Sequence, residues 1–569
     1  MRFKQLILSI CLFIIVFILF YPCLNNSFIY MDDGKYILEN ENIQHGLNLT
    51  SIKWALTSFE CANWHPFTWF SHILDYMIYQ DNPKGHHLSN IFLHSLNSVL
   101  LFICISLILS TYLKDKFNYN NKILTISFIL SFLFAIHPLR VESVNWISER
   151  KDLLCATFWF ISTIFYLFYI QNKTVKNYLL MFFAFFLGTM SKPMIVTFPL
   201  TLILLDLFLL KRGNNTKEIL FEKIPLFAMT FFLSVITLLA QSQGNAIIDT
   251  ETIPLFNRIL NSIMAYYQYL FLFFNPSKLA IFYPYSLTIS VKEIFLSISV
   301  LLTISVYCIK NRITAPHLLF GWLWYLGTLV PVIGLIQVGE QSLADRYTYI
   351  PNIGISIIFI SAIIKVTSKF IRFKYFRIVL FIGVISFLMT LTRIQISFWN
   401  NPISLYTHAI SITNNNYLAH NNLGIEYFNQ GNSKDAINHI NKAIELKPDK
   451  YKYYYNLAVV YHRQKDFDRA IQLYKIAIAK KSDYSKTYYN LGNLYLEMQK
   501  YTEAIKYFSI GLTQTPDSVE LHNNIALAYY NIKDYKSAIN HLEKILEINP
   551  DFKLARNNLN QIISEVSDI

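Results

Sequence analysis

Long apolar stretches recur along the first two thirds of the chain and limit what it can fold into. Residues 6–20, 194–210 and 378–391 approach or reach the roughly 20 apolar residues that a helix needs to cross about 30 Å of hydrocarbon. With 54% hydrophobic and 15% charged residues, the chain is too apolar for a soluble multidomain protein. Stretches of this kind stop at about residue 396, so the sequence predicts a membrane domain followed by a different unit.

The apolar stretches predict eleven membrane spans, and the loops between them set the orientation. Lys and Arg cluster in six short loops, and assigning the first loop to the cytoplasm places the other five there too. The net charge of +13 is thereby explained without nucleic acid. Residues 263–274 are apolar but short, and we expect a re-entrant or interfacial segment on the outer side. The predicted spans are 6–25, 88–112, 123–138, 153–171, 178–190, 194–210, 224–241, 293–309, 316–333, 350–366 and 376–396.

A 34-residue period marks the last third of the chain and is the signature of tetratricopeptide (TPR) repeats. It recurs in four asparagines and in four alanines, and small residues are expected where two helices cross closely. A row of amides can pair with an extended peptide backbone, so we expect the asparagines to bind an acceptor protein. The alternative is that each asparagine bonds the backbone of a neighbouring repeat. The two sets are Asn422, Asn456, Asn490 and Asn524, and Ala436, Ala470, Ala504 and Ala538.

Together these patterns predict an all-α chain, in which a polytopic transmembrane helical bundle of about eleven spans precedes a C-terminal TPR α-solenoid. The membrane domain is expected at 1–397, with a first outer loop at about 26–87. A degenerate half-repeat at 398–419 connects it to four repeats at 420–551, and a capping helix and tail follow at 552–569.

Polar residues concentrate on the predicted outer face. They offer carboxylates that can accept a proton and cations that can hold a phosphate, which is the chemistry of sugar transfer from a lipid phosphate. Each group also has an ordinary explanation, because acidic pairs cap helices and basic residues anchor spans at the bilayer surface. The candidates are Asp32, Asp33, His65 and His86 in the first loop, His137, Glu142, Arg150 and Asp152 in a short turn, Lys192, and the pair Asp345 and Arg346. The same turn also carries Glu149 and Lys151.

At these motifs the chain resembles the transmembrane and TPR-repeat O-mannosyltransferase family, which is part of the GT-C superfamily of membrane glycosyltransferases. The order of the motifs along the chain carries the resemblance, together with the repeats. The chain differs from the animal members at Trp64-His65-Pro66, where a Tyr-Arg-Pro type of sequence is expected. The motifs are Asp32 and Asp33 followed by Asn40, then His137, Pro138, Glu142, Arg150, Asp152, Leu153 and Leu154, then Asp345, Arg346, Tyr349 and Pro351.

The resemblance implies an enzyme that transfers a sugar, typically mannose, from a polyprenyl-phosphate donor to a Ser or Thr hydroxyl on the non-cytoplasmic side. It implies that either Asp32 or Asp33 is the general base and that Arg150, Lys192 and Arg346 hold the donor phosphate. The other polar candidates are expected to contact substrate. No cofactor is expected, and a divalent metal at the carboxylate pair is possible but not favoured.

The expected partners are the lipid bilayer, the polyprenyl-phosphate-linked sugar and an acceptor protein bound by the repeats, with no nucleic acid. The many Asn, Lys and Ile residues favour a bacterial source, and hence an inner-membrane protein with a cytoplasmic N-terminus and periplasmic repeats. Two other functions remain open: an O-antigen ligase or polymerase with added repeats, and a non-enzymatic membrane-anchored scaffold. A cavity that holds Asp32 or Asp33 would favour an enzyme, whereas a filled bundle would favour a scaffold.

The loop charges generate a prediction about orientation. If every short basic loop faces the cytoplasm, the C-terminus lies on the non-cytoplasmic side. A reporter that works only on the non-cytoplasmic side should therefore be active when fused after residue 569. If a reporter that works only in the cytoplasm is active in this fusion, the predicted orientation of the chain is wrong.

Overall fold

The computed structural model describes residues 2–112, 120–249, 251–286, 290–368 and 374–567. Parts of two of the basic loops, 113–119 and 369–373, lie outside these residues. The chain divides into two compact units, Met1–Asn414 and Asn415–Ile569, so the predicted connector 398–419 is shared between them. Within the described residues the regular structure is helical, apart from isolated antiparallel bridges between Ile247 and Val338 and between Pro284 and Gln341.

The first unit contains seventeen of the α-helices in the described residues. They are α1 (Arg2–Phe20), α2 (Glu41–Gln44), α3 (Leu49–Thr57), α4 (Pro66–Tyr79), α5 (Pro83–Tyr112), α6 (Asn120–Ile136), α7 (Val141–Asn145), α8 (Arg150–Gln171), α9 (Val175–Thr189), α10 (Phe198–Leu204), α11 (Thr216–Gln243), α12 (Leu255–Phe274), α13 (Val291–Lys310), α14 (Pro316–Leu329), α15 (Asn352–Ser368), α16 (Lys374–Phe398) and α17 (Pro402–Ile412). The predicted interfacial segment 263–274 lies within α12, which is 20 residues long.

Among the described residues, six helices are long and apolar enough to cross a membrane, and they coincide with six of the eleven predicted spans. The span predicted at 123–138 corresponds to the helix Asn121–Ile136, which meets the following segment Pro138–Asn145 at a bend of 62°. The remaining four predicted spans hold shorter helices. The chain is therefore a multi-spanning membrane protein, while a count of eleven crossings stays a prediction. The six helices are Phe3–Asn25, Pro83–Tyr112, Ile147–Gln171, Thr216–Gln243, Val291–Lys310 and Phe381–Phe398.

A buried, bent stretch joins α6 to α8 and positions most of the charged residues. Pro138 follows α6, and because proline cannot continue the helical hydrogen bonding, the chain turns there through short helical segments. Every residue from 131 to 150 is buried, including Arg140, Glu142, Glu149 and Arg150. The predicted turn is therefore largely covered by protein, while its placement on the outer side of the membrane stays a prediction.

The first outer loop folds into a small core of its own against that stretch. Buried Tyr36, Trp69 and Ile73 pack with Ile147 of the bent stretch. Asn40, one of the residues that carry the family resemblance, caps α2 by accepting from the backbone N–H groups of the helix's first turn. The loop is thus an ordered part of the first unit.

The second unit consists of paired helices, as the 34-residue period predicts. The repeat alanines, Ala436, Ala470, Ala504 and Ala538, are all fully buried. A Cβ atom at Gly424 would lie 3.0 Å from the carbonyl oxygen of Ala436, so these helices cross as closely as side chains allow. The helices are α18 (Tyr417–Asn429), α19 (Ser433–Leu446), α20 (Tyr451–Arg463), α21 (Phe467–Lys480), α22 (Ser485–Glu497), α23 (Tyr501–Gln514), α24 (Val519–Asn531), α25 (Tyr535–Ile548) and α26 (Lys553–Ser567).

Two histidine pairs join the helices of the first and the fourth repeat. The Nδ1 atoms of His420 and His439 are 3.0 Å apart, and those of His522 and His541 are 2.8 Å apart. The two facing nitrogens share one proton, so both rings cannot be charged without breaking the bond. Burial, together with the neighbouring histidine, lowers the pKa of His420 and of His541 to about 4.

The fourth repeat should lose stability as the pH falls from about 6.5 towards 4. His541 is neutral in the folded state, whereas an unfolded histidine with a pKa of about 6.5 binds a proton, so protonation favours unfolding. Hydrogen exchange of peptides covering 519–548, corrected for the intrinsic rate, measures this loss.

The matched variant replaces both histidines of the fourth repeat with tyrosine, which the third repeat carries at the equivalent positions, 488 and 507. His522→Tyr with His541→Tyr should flatten the pH response of the fourth repeat and leave that of the first repeat intact. If the pH response of the fourth repeat is unchanged in this double variant, the loss of stability does not come from these two histidines.

Candidate active site

The two aspartates after the first span have different environments. Asp33 is buried, and its carboxylate accepts hydrogen bonds from the backbone N–H groups of Ile29 and Ser148, both at 2.9 Å. Ser148 belongs to the bent stretch, so Asp33 fastens the first loop to it. Asp32 is partly exposed, and its carboxylate makes no hydrogen bond or ion pair within the part of the chain that the structure describes.

The surrounding protein raises the pKa of both carboxyls. Burial raises the pKa of Asp33 to about 7, although the N–H groups of Ile29 and Ser148 stabilise its charged form. For Asp32 burial is again the largest cause; Lys151 then lowers the pKa and Glu149 raises it. Across the described ranges, no three His, Cys, Asp or Glu side chains converge as metal ligands.

Carboxylates of the bent stretch and of α8 pair with two cations from elsewhere in the chain. Arg346 contacts Glu142 at 2.5 Å through its guanidinium group, and its backbone N–H donates to the same carboxylate at 2.7 Å. Lys192 pairs with Asp152. Burying these charges is tolerable because each has an opposite partner.

Glu149 lies at the centre of these charges. Its carboxylate is 3.1 Å from the Lys151 ammonium, 3.5 Å from Lys192 and 3.3 Å from Nε of Arg346. The Lys151 ammonium also donates to the hydroxyl of Tyr36 at 3.3 Å. One buried carboxylate thus contacts its near neighbour Lys151 and two cations from distant parts of the sequence.

All three cations line a cavity of about 660 Å³ that also contains Asp32 and Glu149. The aromatic ring of Tyr347 lies beside two of the cations, 5.0 Å from the Arg346 guanidinium and 5.8 Å from the Lys192 ammonium. The charged end of the cavity therefore combines an unpaired carboxylate with a cluster of cations.

Apolar side chains form another part of the cavity lining, the apolar wall. Its side chains are 42–54% exposed, although they line the cavity, so the protein leaves this wall open. Exposed apolar side chains on a helix as long and apolar as α11 are suited to contact with lipid chains. The residues of this wall are Leu200, Leu238, Val330, Leu335 and Ile336.

Amide and hydroxyl groups form a further part of the lining. The residues are Asn63, Gln241, Gln337, Gln341 and Ser342. Gln337 is buried, and its Oε1 atom has no hydrogen-bond partner among the described residues. Groups of this kind can donate to and accept from the hydroxyls of a sugar.

Four charged residues expected to contact substrate do not line the cavity. Two of them, Glu142 and Asp152, pair with the cavity cations as described above. The other two are Arg150 and Asp345. Arg150 is fully buried; its guanidinium pairs with Asp75 at 2.5 Å and donates to Asn90 at 2.8 Å. The Asp345 carboxylate accepts from the Tyr283 hydroxyl at 2.9 Å. In this structure Arg150 joins α4, α5 and α8, so the expected phosphate contact is corrected to a structural one.

The three candidate histidines are buried and do not line the cavity either. His86 and His137 each place Nε2 against a backbone carbonyl oxygen, of Gln80 at 2.9 Å and of Phe273 at 3.0 Å. His65 lies among the aromatic rings of the first loop, and its ring nitrogens have no hydrogen-bond partner among the described residues. These positions correct the expectation that the histidines contact substrate.

Two cavity residues, Glu149 and Lys151, belong to the polar cluster of the short turn but were not among the predicted substrate contacts. They stand directly beside Arg150, which was predicted and points elsewhere. Successive residues at the start of a helix differ by about 100° in direction, so neighbours in sequence face different surroundings. The charged run itself was the signal, but the spacing could not show which of its members face the cavity.

In the second unit, the repeat asparagines contact one another's repeats. Three of them donate a hydrogen bond from the side-chain amide to a side chain of the preceding repeat. The alternative of a bond to the backbone of a neighbouring repeat is therefore corrected to a bond to a side chain. These donors are therefore engaged, whereas the side-chain oxygens of Asn456 and Asn490 make no hydrogen bond in the described residues. The pairs are Asn456 with Asn421 at 2.8 Å, Asn490 with Tyr455 at 2.7 Å and Asn524 with Asn493 at 2.7 Å, while Asn422 accepts from Asn421 at 3.0 Å.

Comparison with known families confirms the repeats. Two family models, both described as tetratricopeptide repeat, match residues 421–485 and 483–551. Among solved structures, the chain is similar to the crystal structure of MamA protein, with 26% identity and a TM-score of 0.25, over 26% of this chain and 81% of that chain. It is also similar to YrrB, a TPR protein with an unusual peptide-binding site, with 18% identity and a TM-score of 0.25, over 35% of this chain and 97% of that chain.

Curated relatives match far more than the repeats. A Caenorhabditis elegans protein named protein O-mannosyl-transferase is 25% identical over 448 residues, which are 76% of this chain and 61% of that protein. Protein O-mannosyl-transferase TMTC3 is 22% identical in Mus musculus and 23% identical in Homo sapiens, over 72% of this chain and 48% of each relative.

The chain spans about half to three fifths of the length of these relatives. Because the repeat unit is only Asn415–Ile569, a match over 76% of the chain extends well into the membrane unit. The resemblance read from the motifs is thereby confirmed: this membrane protein is a relative of the transmembrane and TPR-repeat protein O-mannosyl-transferases.

Proposed function

We propose that the chain transfers a hexose, such as mannose, from a polyprenyl-phosphate donor to a Ser or Thr hydroxyl on the non-cytoplasmic side. The observation that carries the proposal is the composition of one cavity. An unpaired carboxylate, three cations, an amide-lined region and an open apolar wall meet there. Those are the groups that a hydroxyl, a phosphate, a sugar and a lipid chain require.

Asp32 is the proton acceptor in this proposal. As the acceptor oxygen attacks the anomeric carbon, its proton passes to the Asp32 carboxylate and the bond from that carbon to the phosphate oxygen breaks. The polyprenyl phosphate leaves with the bonding electron pair. Asp33 does not share the role, because two backbone N–H groups already occupy its carboxylate.

Lys151, Lys192 and Arg346 hold the phosphate. The donor phosphodiester carries one negative charge and gains a second as the sugar leaves, so cations stabilise the product side of the reaction most. Arg346 offers a planar group with several donors, and the two lysines offer point charges. Lys151 takes the place that the resemblance suggested for Arg150.

The apolar wall accommodates the carrier lipid. Leu200 of α10 and Leu238 of α11 are half-exposed at the open side of the cavity. A polyprenyl chain lying against them remains in the hydrocarbon, while its phosphate reaches the cations. Gln241, Gln337 and Gln341 line the same cavity, and the unpartnered Oε1 atom of Gln337 can accept from a sugar hydroxyl.

The cavity also bears on the two alternatives. A scaffold that only anchors the repeats needs one span and a filled bundle, and this unit has at least six long apolar helices and an open, charged cavity. The relatives described above are named protein O-mannosyl-transferases, which favours protein O-glycosylation over an O-antigen ligase or polymerase.

The TPR unit supplies the interaction with protein. TPR repeats are protein-binding modules, and we propose that this array binds the acceptor. The side-chain oxygens of Asn456 and Asn490 are available to backbone N–H donors of an extended segment. Tyr455, which holds Asn490, lies on the same row.

Asp32→Asn should lower kcat by about 10²–10⁴-fold, because the amide cannot accept the proton, and should leave the melting temperature nearly unchanged. The measurement is transfer from a radiolabelled polyprenyl-phosphate sugar to protein by the purified chain. Full activity of this variant would remove the base assignment.

Asp33→Asn is the matched comparison, with the same change one residue away. Its amide nitrogen replaces one acceptor oxygen and leaves a buried N–H of Ile29 or Ser148 without a partner, so unfolding should become easier by about 1–3 kcal/mol. Folded Asp33→Asn protein should still transfer sugar. The opposite pattern, an inactive Asp33→Asn and an active Asp32→Asn, would reverse the roles.

Asn490→Ala should raise KM for a protein acceptor without changing hydrolysis of the lipid-linked sugar. Tyr455→Phe is the control, since it breaks the same hydrogen bond but keeps the asparagine. Equal effects of the two variants on KM and on helical signal would mean that Asn490 serves stacking of the repeats alone.

A further inference from the structure

We propose that Glu149 is a positioning residue that holds the Lys151 ammonium away from the Asp32 carboxylate and keeps that carboxylate available as a proton acceptor. The inference rests on the proposed function, because it assigns a role relative to Asp32. It is carried by the pairing of the charges around the cavity.

The three cations do not depend on Glu149 to the same extent. Lys192 has a second carboxylate in Asp152, and Arg346 has a second one in Glu142. Within the described residues, Glu149 is the only carboxylate within ion-pair distance of Lys151. Loss of Glu149 therefore leaves one cation, and not the other two, without an anionic partner.

Without Glu149, the Lys151 ammonium has few possible partners. The side chain of Lys151 is only 11% exposed, and the remaining contacts of its ammonium are the hydroxyl and the ring of Tyr36, which are neutral. A buried ammonium without a counter-charge is costly, so it will seek a carboxylate. Two carboxylates line the cavity, Glu149 and Asp32, and only Asp32 is unpaired.

The same conclusion follows from the charges that act on Asp32. After burial, Lys151 has the largest effect on the pKa of Asp32 and lowers it, while Glu149 raises it; Arg346 and Lys35 lower it further. Removal of Glu149 lowers the pKa of Asp32 in two ways. One negative charge disappears, and Lys151 becomes free to pair with Asp32. An Asp32 carboxylate paired with Lys151 is a weaker base and is no longer open to a hydroxyl.

The experiment follows the titration of Asp32 itself and needs no donor. Carbodiimide in the presence of glycinamide modifies protonated carboxyls, and fragment mass spectrometry of the peptide containing Asp32 separates it from Asp33. The midpoint of Asp32 labelling is measured from pH 4 to 9 on the full chain in detergent. A cavity of about 660 Å³ admits these reagents.

Glu149→Gln should move the Asp32 midpoint down by about one pH unit, the usual effect of one nearby charge. Lys151→Gln should move it up, and the double variant should return it close to the wild-type value. Asp152→Asn is the matched control, since it removes a carboxylate from Lys192 and leaves the Glu149–Lys151 pair intact; its midpoint should not move. An unchanged or raised midpoint in Glu149→Gln overturns the proposal.

Two further comparisons keep the outcome decisive. If Glu149→Gln fails to fold, an unchanged midpoint in Lys151→Gln overturns the proposal on its own, because Lys151 then exerts no effect on Asp32. Where transfer is measurable, the acid limb of kcat/KM should shift with the labelling midpoint. Absence of transfer by the wild type counts against the proposed function and leaves the labelling result valid.

Discussion

The bent stretch between α6 and α8 places charged side chains in the interior of the membrane unit. These charges need partners there, and the pairing holds distant segments of the unit together. An unpaired buried charge costs several kcal/mol, so each one specifies a partner. Arg140 donates to the carbonyl oxygen of Thr348 at 3.1 Å, and Glu142 pairs with Arg346. Arg150 pairs with Asp75 of the first loop. Three segments that are distant in sequence are thereby brought around one cavity.

The parts of the fold that the sequence predicts well are those with a period or a length that physics constrains. A 34-residue repeat admits little besides stacked helix pairs, and the buried alanines of α19 and α21 lie where that pattern requires. Spans of 20 residues or more are recognisable from composition alone. Composition also located α9 and α14, but these helices are only 15 and 14 residues long, so composition alone does not show whether they cross the membrane.

The site was predictable as a set of motifs but not as an arrangement. Asp32 and Asp33 are equivalent in sequence. Backbone N–H groups of Ile29 and of Ser148, which is more than a hundred residues away, distinguish the buried carboxylate from the open one. Arg150 and Lys151 are likewise neighbours with different tasks. Residue type predicts what chemistry is available, whereas the direction of each side chain depends on contacts that form only in the folded chain.

The balance of charge around the cavity favours the movement of charge that the proposed reaction requires. Four carboxylates, Asp32, Glu142, Glu149 and Asp152, accompany three cations, Lys151, Lys192 and Arg346, so the site has no surplus of positive charge to trap an anion. In the reaction, Asp32 becomes neutral as the departing phosphate gains a second negative charge. The total charge of the site is thus unchanged, and the negative charge moves from an unpaired carboxylate towards the cations. A cavity arranged in this way stabilises the transfer of charge more than it stabilises the bound donor, which is what catalysis requires.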